Sequence, residues 1–285
     1  MRIDSHQHFW NYDPARDSWI TLEMPVLRRD YLPQDLLPEL RLHGVDACVA
    51  VQADQSERET EFLLQLAGCN PEIIGVVGWV DLRSPAVGDS LRRFAEYEKF
   101  CGVRHIVQGE GDDRFMLQES FMRGIACLRE FDLTYDILVY PRQLPAAIEL
   151  ARRFPEQRFV LDHIAKPEIR VDKREPWATH IRELATCRNV YCKISGLVTE
   201  ADWQRWSAAD IFPYLDVVFE AFGTSRLMFG SDWPVCLLAG TYERVVGLVS
   251  EYTSSLPENE RTQIFGVNAV RFYGLQGIHE FTARQ

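Results

Sequence analysis

Short apolar segments alternate with amphipathic segments along most of the chain. Segments rich in Val, Ile and Leu and bounded by Gly, Pro or Asp are typical of buried strands. Eight of them occur, at residues 2–8, 47–52, 73–81, 103–108, 133–140, 159–163, 190–195 and 226–230. From the second strand onward, the strands begin about every 30 residues, which is the size of one βα unit. Apolar residues at helical spacing predict helices over residues 57–67, 121–130 and 144–154.

This alternation predicts an α/β fold with a parallel sheet. Eight βα units favour a closed (β/α)8 TIM barrel over a doubly wound open sheet. The short GEG run at residues 109–111 does not complete a GxGxxG phosphate-binding turn. Because no Pro, Gly or charge cluster is long enough to be a linker, residues 1–285 are predicted to form a single domain. The long first loop, residues 10–33, is expected to cover part of a site.

Composition and charge argue against several classes of protein. The 285 residues are 46% hydrophobic and 26% charged, which is ordinary for a globular protein with a large core. No stretch approaches the ~20 apolar residues of a membrane span, and the start lacks the features of a signal peptide, so we expect a cytoplasmic protein. The net charge of −11 disfavours nucleic acid or an anionic membrane as a partner. The seven cysteines form no CxxC pair and are expected to be reduced thiols.

Two histidines, His6 and His8, lie one residue apart on the first predicted strand. The two-residue period of a strand puts both on one face, about 6.6 Å apart, where they could bind a metal ion or a substrate oxygen. His163 and Asp232 come at the ends of the sixth and eighth strands, in FVLDHIAKP and LMFGSDWP. Working residues of such barrels lie at the C-terminal strand ends. These four residues therefore supply the parts for hydrolysis, a carboxylate to accept a proton from water and groups that stabilise negative charge on a carbonyl oxygen.

Other side chains near the strand ends are candidates for substrate contacts. On the fourth strand, the two-residue period lets either Arg104 with Gln108 or His105 alone face inward, and we favour the polar pair. A lysine inside a barrel mouth, Lys193, is expected to contact substrate or to pair with a carboxylate such as Asp162 or Asp232. Tryptophan faces suit the C–H faces of a sugar ring. The candidate substrate contacts are Gln52, Trp79, Arg104, Gln108, Lys193, Trp10 and Trp233.

Four motifs give the chain a family resemblance. IDSHQHFW, DHIAKP, KISGL and FGSDWPV occur in this order and resemble the lactonase-like branch of the amidohydrolase superfamily. Within that branch, VLDHIAKP, CKISGLVTEADW and RLMFGSDWPVCLL are most similar to L-fuconolactonases and related sugar-acid lactonases. The resemblance extends over nearly the whole chain.

This resemblance implies an enzyme that opens the ring ester of a small sugar-acid lactone to the open-chain aldonate. By position in the motifs, Asp232 matches the general base, and His6, His8 and His163 match the family's catalytic histidines. The resemblance also implies that His6, His8 and Asp232 could hold one divalent cation such as zinc, with no organic cofactor. Because the fifth strand, LTYDILVY, has no histidine, a two-metal centre is not expected. Members of this branch are thought to work with or without a cation, so both mechanisms stay open.

Three other functions use the same scaffold. A lactonase acting on a 2-pyrone-4,6-dicarboxylate would need several arginines to clamp two carboxylates, and few arginines lie at the predicted strand ends. A non-oxidative decarboxylase would require the metal. A non-catalytic sugar-binding barrel would not need a base at Asp232. We therefore expect a hydrolase acting on a neutral sugar lactone.

Overall fold

Eight parallel strands form one sheet, and each strand pairs with the next in chain order. The computed structural model describes residues 1–275, so residues 276–285 of the predicted domain lie outside the described residues. The predicted (β/α)8 TIM barrel is confirmed. Its strands are β1 (Ile3–Gln7), β2 (Ala47–Val51), β3 (Ile73–Gly78), β4 (Phe100–His105), β5 (Thr134–Ile137), β6 (Phe159–Leu161), β7 (Val190–Ile194) and β8 (Leu227–Phe229).

Amphipathic helices follow the strands and bury their apolar faces against the sheet. None of the helices in residues 1–275 is long and apolar enough to span a membrane. The helices are α1 (Pro33–Leu42), α2 (Glu57–Cys69), α3 (Val87–Ala95), α4 (Glu119–Leu128), α5 (Leu144–Arg153), α6 (Trp177–Ala185), α7 (Ala208–Phe222), α8 (Tyr242–Tyr252), α9 (Glu258–Thr262) and α10 (Asn268–Tyr273).

The predicted strands are longer than the observed ones at their C-terminal ends. The segment predicted as a strand over residues 103–108 leaves the sheet at His105, and residues 107–109 form a single helical turn. Gln108 therefore lies on a loop, and the two-residue period does not decide which way it points. The apolar run continues past the strand because the loop residue Val107 is itself fully buried.

Backbone hydrogen bonds join the first strand to the segment that follows the last strand. The N–H of Asp232 donates to the carbonyl of His6 at 2.8 Å, and the N–H of His8 donates to the carbonyl of Trp233 at 2.7 Å. Gly230 allows this close approach, because a Cβ there would lie 2.6 Å from the Cβ of His6. These contacts close the barrel at its C-terminal end.

The N-terminal end of the barrel is filled by α10. Phe272 and Tyr273 pack with inward-facing apolar residues of the strands, including Ile3 and Val160. The Tyr273 hydroxyl donates to Asp136 Oδ2 on β5 at 2.8 Å. Access to the barrel interior is therefore from the opposite end.

The first loop folds back on itself beside that open end. Trp10 and Tyr31 exchange two backbone hydrogen bonds of 2.9 Å, and the Trp10 indole N–H donates to the carbonyl of Arg29 at 2.9 Å. Trp19 and Met24 from this loop reach the cavity at the C-terminal strand ends. The expectation that the first loop covers part of that end is confirmed.

A buried carboxyl on α2 predicts a pH-dependent stability. Glu59 is 5% exposed, and its Oε1 accepts from the N–H of Ala53 at 3.2 Å. Burial raises the pKa of Glu59 from 4.5 to about 7, with Arg16 of the first loop opposing the shift and Asp54 adding to it. The folded state thus holds the proton at a higher pH than the unfolded state, so its stability falls as pH rises from about 4.5 through about 7.

We expect Glu59→Gln, which keeps the oxygen acceptor, to gain stability relative to the wild type between pH 5 and pH 8, by at most about 3 kcal/mol. Urea unfolding at both pH values measures this difference. Glu61→Gln, an exposed position on the same helix, is the matched control. An equal stability difference at both pH values would contradict a raised pKa for Glu59.

Candidate active site

A cavity of about 500 Å³ opens at the C-terminal ends of the strands. This volume lies within the ordinary range for sites that bind small molecules. His8, Arg104, His163 and Asp232 reach it from four different strands or the segments that follow them. The sequence therefore brings its chemistry-bearing residues to one place by barrel closure.

His6, His8 and Asp232 form a compact group at the floor of this cavity. The Nε2 atoms of the two histidines lie 3.2 Å apart. Asp232 Oδ1 lies 3.3 Å from His8 Nε2 and 3.9 Å from His6 Nε2. All three residues are buried.

The tautomer of His8 follows from its hydrogen bond to the backbone. His8 Nδ1 lies 2.8 Å from the carbonyl oxygen of Val51, which can only accept, so Nδ1 carries the proton. In the neutral ring Nε2 is then a bare lone pair that faces the Asp232 carboxylate. Two acceptors at 3.3 Å repel each other unless a proton or a cation lies between them.

His163 occupies an unusual turn after β6. Residues 163–166 all have positive φ, between 47° and 62°, although none of them is glycine. This left-handed conformation costs about 1–2 kcal/mol for each L-residue and points to a functional constraint. His163 Nδ1 lies 2.9 Å from Ser195 Oγ, and its Nε2 lies 3.9 Å from Asp232 Oδ1. The turn thus holds the His163 ring against the same carboxylate.

The charge of Asp232 follows from its neighbours. Burial tends to raise the pKa of Asp232, but His163, His8 and Lys166 outweigh it and hold the pKa below its usual value. Burial lowers the pKa of His163 well below its usual value. At neutral pH the site therefore combines an ionised carboxylate with a neutral His163.

A buried ionic cluster lies beneath His6. Lys193 Nζ is 2.5 Å from Asp136 Oδ2 and 3.0 Å from both Asp162 Oδ1 and His6 Nδ1. Arg104 Nη1 lies 3.0 Å from Asp162 Oδ2 and 3.2 Å from His6 Nε2. His6 Nδ1 thus faces both Lys193, which only donates, and Asp162 Oδ1 at 3.3 Å, which accepts, whereas His6 Nε2 faces Arg104, which only donates.

The cluster separates the pKa values of its two carboxyls. Burial tends to raise the pKa of Asp162, but Lys193, His6 and Arg104 outweigh it, so the pKa lies well below its usual value. Burial raises the pKa of Asp136 to about 6 in spite of Lys193. Burial, followed by the Lys193 charge, holds the pKa of His6 well below its usual value, so the ring is neutral at neutral pH.

The donor set of His6, His8 and Asp232 fits a divalent cation. Bonds of about 2.0–2.1 Å in a tetrahedral zinc site place the ligand atoms about 3.3 Å apart, close to the distances of 3.2–3.9 Å found here. His8 presents a lone pair because its Nδ1–H is bonded to a backbone carbonyl, as in protein metal sites. Arg104 Nη1 lies 3.2 Å from His6 Nε2, so His6 would give up this contact in order to bind a cation through that nitrogen.

The structure brings some of the expected substrate contacts to the cavity and leaves others elsewhere. Trp10, Arg104 and Gln108 line it. Arg104 and His105 point to opposite faces of β4, as expected, since His105 stacks on Phe115 outside the barrel.

Four expected contacts lie away from the lining of the cavity. Lys193 is fully buried in the ionic cluster, which fulfils the expected pairing with Asp162 and adds an unexpected one with Asp136. The Gln52 amide donates to the carbonyl of Arg104 at 3.1 Å. The other two are tryptophans that pack elsewhere: Trp79 Nε1 donates to His105 Nδ1 at 3.3 Å, and Trp233 packs edge-to-face on Phe9 and Tyr31.

Sequence reasoning missed Lys166, Glu200 and Trp203, which also line the cavity. All three lie on loops after β6 and β7, where no periodicity indicates direction. The available signal was motif membership, because Lys166 belongs to DHIAKP and Trp203 ends TEADW.

Comparisons with known proteins agree with this geometry. The family model described as amidohydrolase matches residues 3–275. An L-fucono-1,5-lactonase of Burkholderia multivorans is 45% identical over 96% of each chain, and an L-fucono-1,5-lactonase of Burkholderia ambifaria is 38% identical over 96% of this chain and 95% of its own. A crystal structure of an amidohydrolase from Burkholderia multivorans with bound zinc is 44% identical, with a TM-score of 0.92, and covers 97% of this chain and 100% of its own.

The close approach of Gly196 to His163 predicts how a larger residue at position 196 would affect the fold and the His163 ring. Gly196 has φ +62°, and a Cβ there would lie 2.6 Å from His163 Nδ1. We expect Gly196→Ala to destabilise the fold by at least about 1–2 kcal/mol and to displace the His163 ring. Urea unfolding measures the first effect, and the imidazole nitrogen chemical shifts measure the second.

Gly223→Ala is the matched control, because Gly223 has φ +66° but open space around its Cβ position. We expect this control to lose a similar amount of stability without changing the His163 signal. Identical spectra for the two variants would contradict the predicted collision.

Proposed function

Because the chain belongs to the amidohydrolase family, we propose that it hydrolyses the ring ester of a sugar-acid lactone to the open-chain aldonate. L-Fucono-1,5-lactone is the proposed substrate, since two relatives at 45% and 38% identity are named as lactonases for it. The observation that carries the proposal is the Asp232 carboxylate at the floor of a substrate-sized cavity, with its Oδ1 3.9 Å from His163 Nε2. A carboxylate so placed can accept a proton from water, which simple sugar binding does not require.

In the proposed reaction, Asp232 takes a proton from a water molecule as the water oxygen attacks the lactone carbonyl carbon. The tetrahedral intermediate then breaks its bond to the ring oxygen, and Asp232 returns the proton to that oxygen. His163, held by Ser195 at 2.9 Å, orients the water or the substrate. One carboxylate therefore serves in turn as base and acid.

The negative charge on the carbonyl oxygen needs a positive or hydrogen-bonding partner. Arg104 lines the cavity with its permanent charge, and its buried Nε has no hydrogen-bond partner among residues 1–275. We propose that Arg104 stabilises this charge. The Nδ1–H of His8 cannot do so, because it is bonded to the Val51 carbonyl.

We propose that His6, His8 and Asp232 hold one divalent cation, zinc being the ion bound in the similar Burkholderia multivorans structure. When bound, such a cation supplies Lewis-acid polarisation of the lactone carbonyl. His8 contributes a lone pair on Nε2. Asp162 Oδ1 lies 3.3 Å from His6 Nδ1 and can accept a hydrogen bond from its N–H, which leaves the lone pair of His6 on Nε2.

A pyrone dicarboxylate fits the cavity less well than a neutral sugar lactone. Such a substrate would need several guanidinium groups. Arg104 is the arginine that lines the cavity within residues 1–275.

The seven cysteines are all unpaired, which supports our proposal that the enzyme acts in the cytoplasm.

The proposed base predicts the behaviour of Asp232→Asn. Asn keeps the size of the side chain and tolerates the φ of +58° at this position, so we expect the fold to be retained. The value of kcat/KM for L-fucono-1,5-lactone should fall about 10²- to 10⁴-fold, as measured with a pH indicator.

Asp113→Asn is the control, because Asp113 is an exposed carboxylate that pairs with Arg142 at 2.8 Å. Near wild-type turnover in Asp232→Asn would rule out the base. Wild-type protein that hydrolyses pyrone dicarboxylate and no sugar lactone would transfer the proposal to that substrate.

The proposed cation site predicts the metal content. We expect the wild-type chain, dialysed against zinc, to retain zinc that His8→Ala loses, as measured by elemental analysis. Lactone hydrolysis should fall after treatment with a chelator and recover with zinc, because the Nδ1–H of His8 is already bonded to the Val51 carbonyl and cannot take the place of the cation.

The control is His43→Ala, since His43 pairs with Glu39 at 3.6 Å on α1 and takes no part in the donor set. Equal zinc content in His8→Ala and the wild type would exclude the site. Full turnover of the metal-free chain would leave Arg104 as the partner of the carbonyl oxygen.

A further inference from the structure

An ion pair faces the cavity, and neither of its members exchanges a proton or contacts the reacting oxygen in the chemistry proposed above. Lys166 Nζ lies 3.3 Å from Glu200 Oε1, and the two side chains are 15% and 22% exposed. Both residues line the cavity, as does Trp203 on the same loop as Glu200. Lys166, Glu200 and Trp203 together are called the hydroxyl subsite below.

The backbone around this pair is held in place. Lys166 ends the left-handed run that begins at His163, and its N–H donates to the His163 carbonyl at 2.8 Å. Glu200 ends a helical turn, in which Thr199 Oγ1 donates to the carbonyl of Gly196 at 2.8 Å. The position of each head group is therefore tied to the residues that surround Asp232.

Trp203 is fixed in the same way. Its indole N–H donates to the carbonyl of Thr199 at 2.8 Å, so its polar atom is already satisfied. The ring is left as an apolar surface on the wall of the same cavity. Such a face suits the C–H groups of a sugar ring.

The ion pair has unused hydrogen-bonding capacity. An ammonium group has three donors and a carboxylate accepts at about four positions, yet within residues 1–275 the polar contact of each head group is with the other. Glu200 and Asp232 both favour the charged form of Lys166, which raises its pKa in spite of burial. A charged donor and a charged acceptor thus stand side by side on one wall.

We propose that this hydroxyl subsite binds the ring hydroxyls of the lactone and determines which sugar is hydrolysed. A hydroxyl group both donates and accepts, so it can donate to Glu200 and accept from Lys166 at the same time. An apolar or planar aromatic lactone leaves the remaining donor and acceptor positions of this ion pair unfilled, and a site built for hydroxyl groups rejects such a ligand strongly. This inference rests on the proposed function and adds the residues that select the substrate.

The test compares one substrate with its analogues in wild-type and variant enzymes. The substrates are L-fucono-1,5-lactone and the same lactone lacking one ring hydroxyl at a time. The variants are Glu200→Gln, which keeps the shape of the side chain, and Lys166→Met. Lys173→Met and Glu168→Gln are matched controls, because Lys173 and Glu168 form an exposed pair at 2.9 Å.

We expect each subsite variant to lower kcat/KM for the full lactone by about ten- to a hundredfold, mainly through KM. In Glu200→Gln the analogue that lacks the bound hydroxyl should be hydrolysed at nearly the wild-type rate, so the preference of the wild type for the full lactone collapses. Lys166→Met also removes a charge that lowers the pKa of Asp232, so it should lose the same preference at a lower overall rate. The controls should keep that preference. A merely structural ion pair would lower stability without changing the preference.

An unchanged preference in Glu200→Gln and Lys166→Met would overturn the subsite while leaving the lactonase proposal intact. Failure of the wild type to hydrolyse any of these lactones would overturn both. If Lys166→Met does not fold, the preference measured with Glu200→Gln decides the question alone.

Discussion

Two backbone hydrogen bonds, from Asp232 to His6 and from His8 to Trp233, hold the site together. They join the segment after the last strand to the first strand. The same bonds that close the barrel therefore set the spacing of the possible metal ligands His6, His8 and Asp232. Gly230 belongs to this seam, since any larger residue would meet His6. The residues of FGSDWP and those of HQH therefore pack against each other, and each motif restricts which residues the other can contain.

A second constraint is the charge buried beneath this seam. Lys193 and Arg104 face Asp136 and Asp162, and His6 lies between the two cations. Lys193 and both carboxylates are fully buried, whereas Arg104 also borders the cavity. Removing one member of such a buried set leaves an uncompensated charge, which costs more than an intact pair contributes. The cluster therefore fixes the His6 ring, while burial and the Lys193 charge keep the ring neutral.

Much of the fold could be predicted from the sequence, because strand and helix periods and their alternation are local signals. His6, His8, His163 and Asp232 could be placed together, since the C-terminal ends of parallel strands meet at one edge. Their detailed geometry could not, because His163 reaches the site through a left-handed turn that no propensity favours. The direction of the Trp79 side chain could not be predicted either, since it depends on a hydrogen bond to His105 at the end of the neighbouring strand β4.

Loops limited the prediction most. Lys166, Glu200 and Trp203 follow strands but do not lie on them, so no period indicates which way they point. Lys193 shows the opposite difficulty: it lies on a strand and faces inward, but its depth along the barrel places it below the cavity. Depth is set by the relative register of neighbouring strands, which a single sequence does not encode locally.

The position of the seam also bears on how this enzyme would fail. Proteins open locally with free energies well below that of global unfolding, and the end of a barrel seam has few hydrogen bonds to lose. Here the backbone N–H groups of His8 and Asp232 donate those hydrogen bonds. A brief separation of the first and last strands would therefore move Asp232, the proposed acid–base group, away from its neighbours. The rate of turnover would then reflect this local opening of the sheet while the rest of the molecule stayed folded.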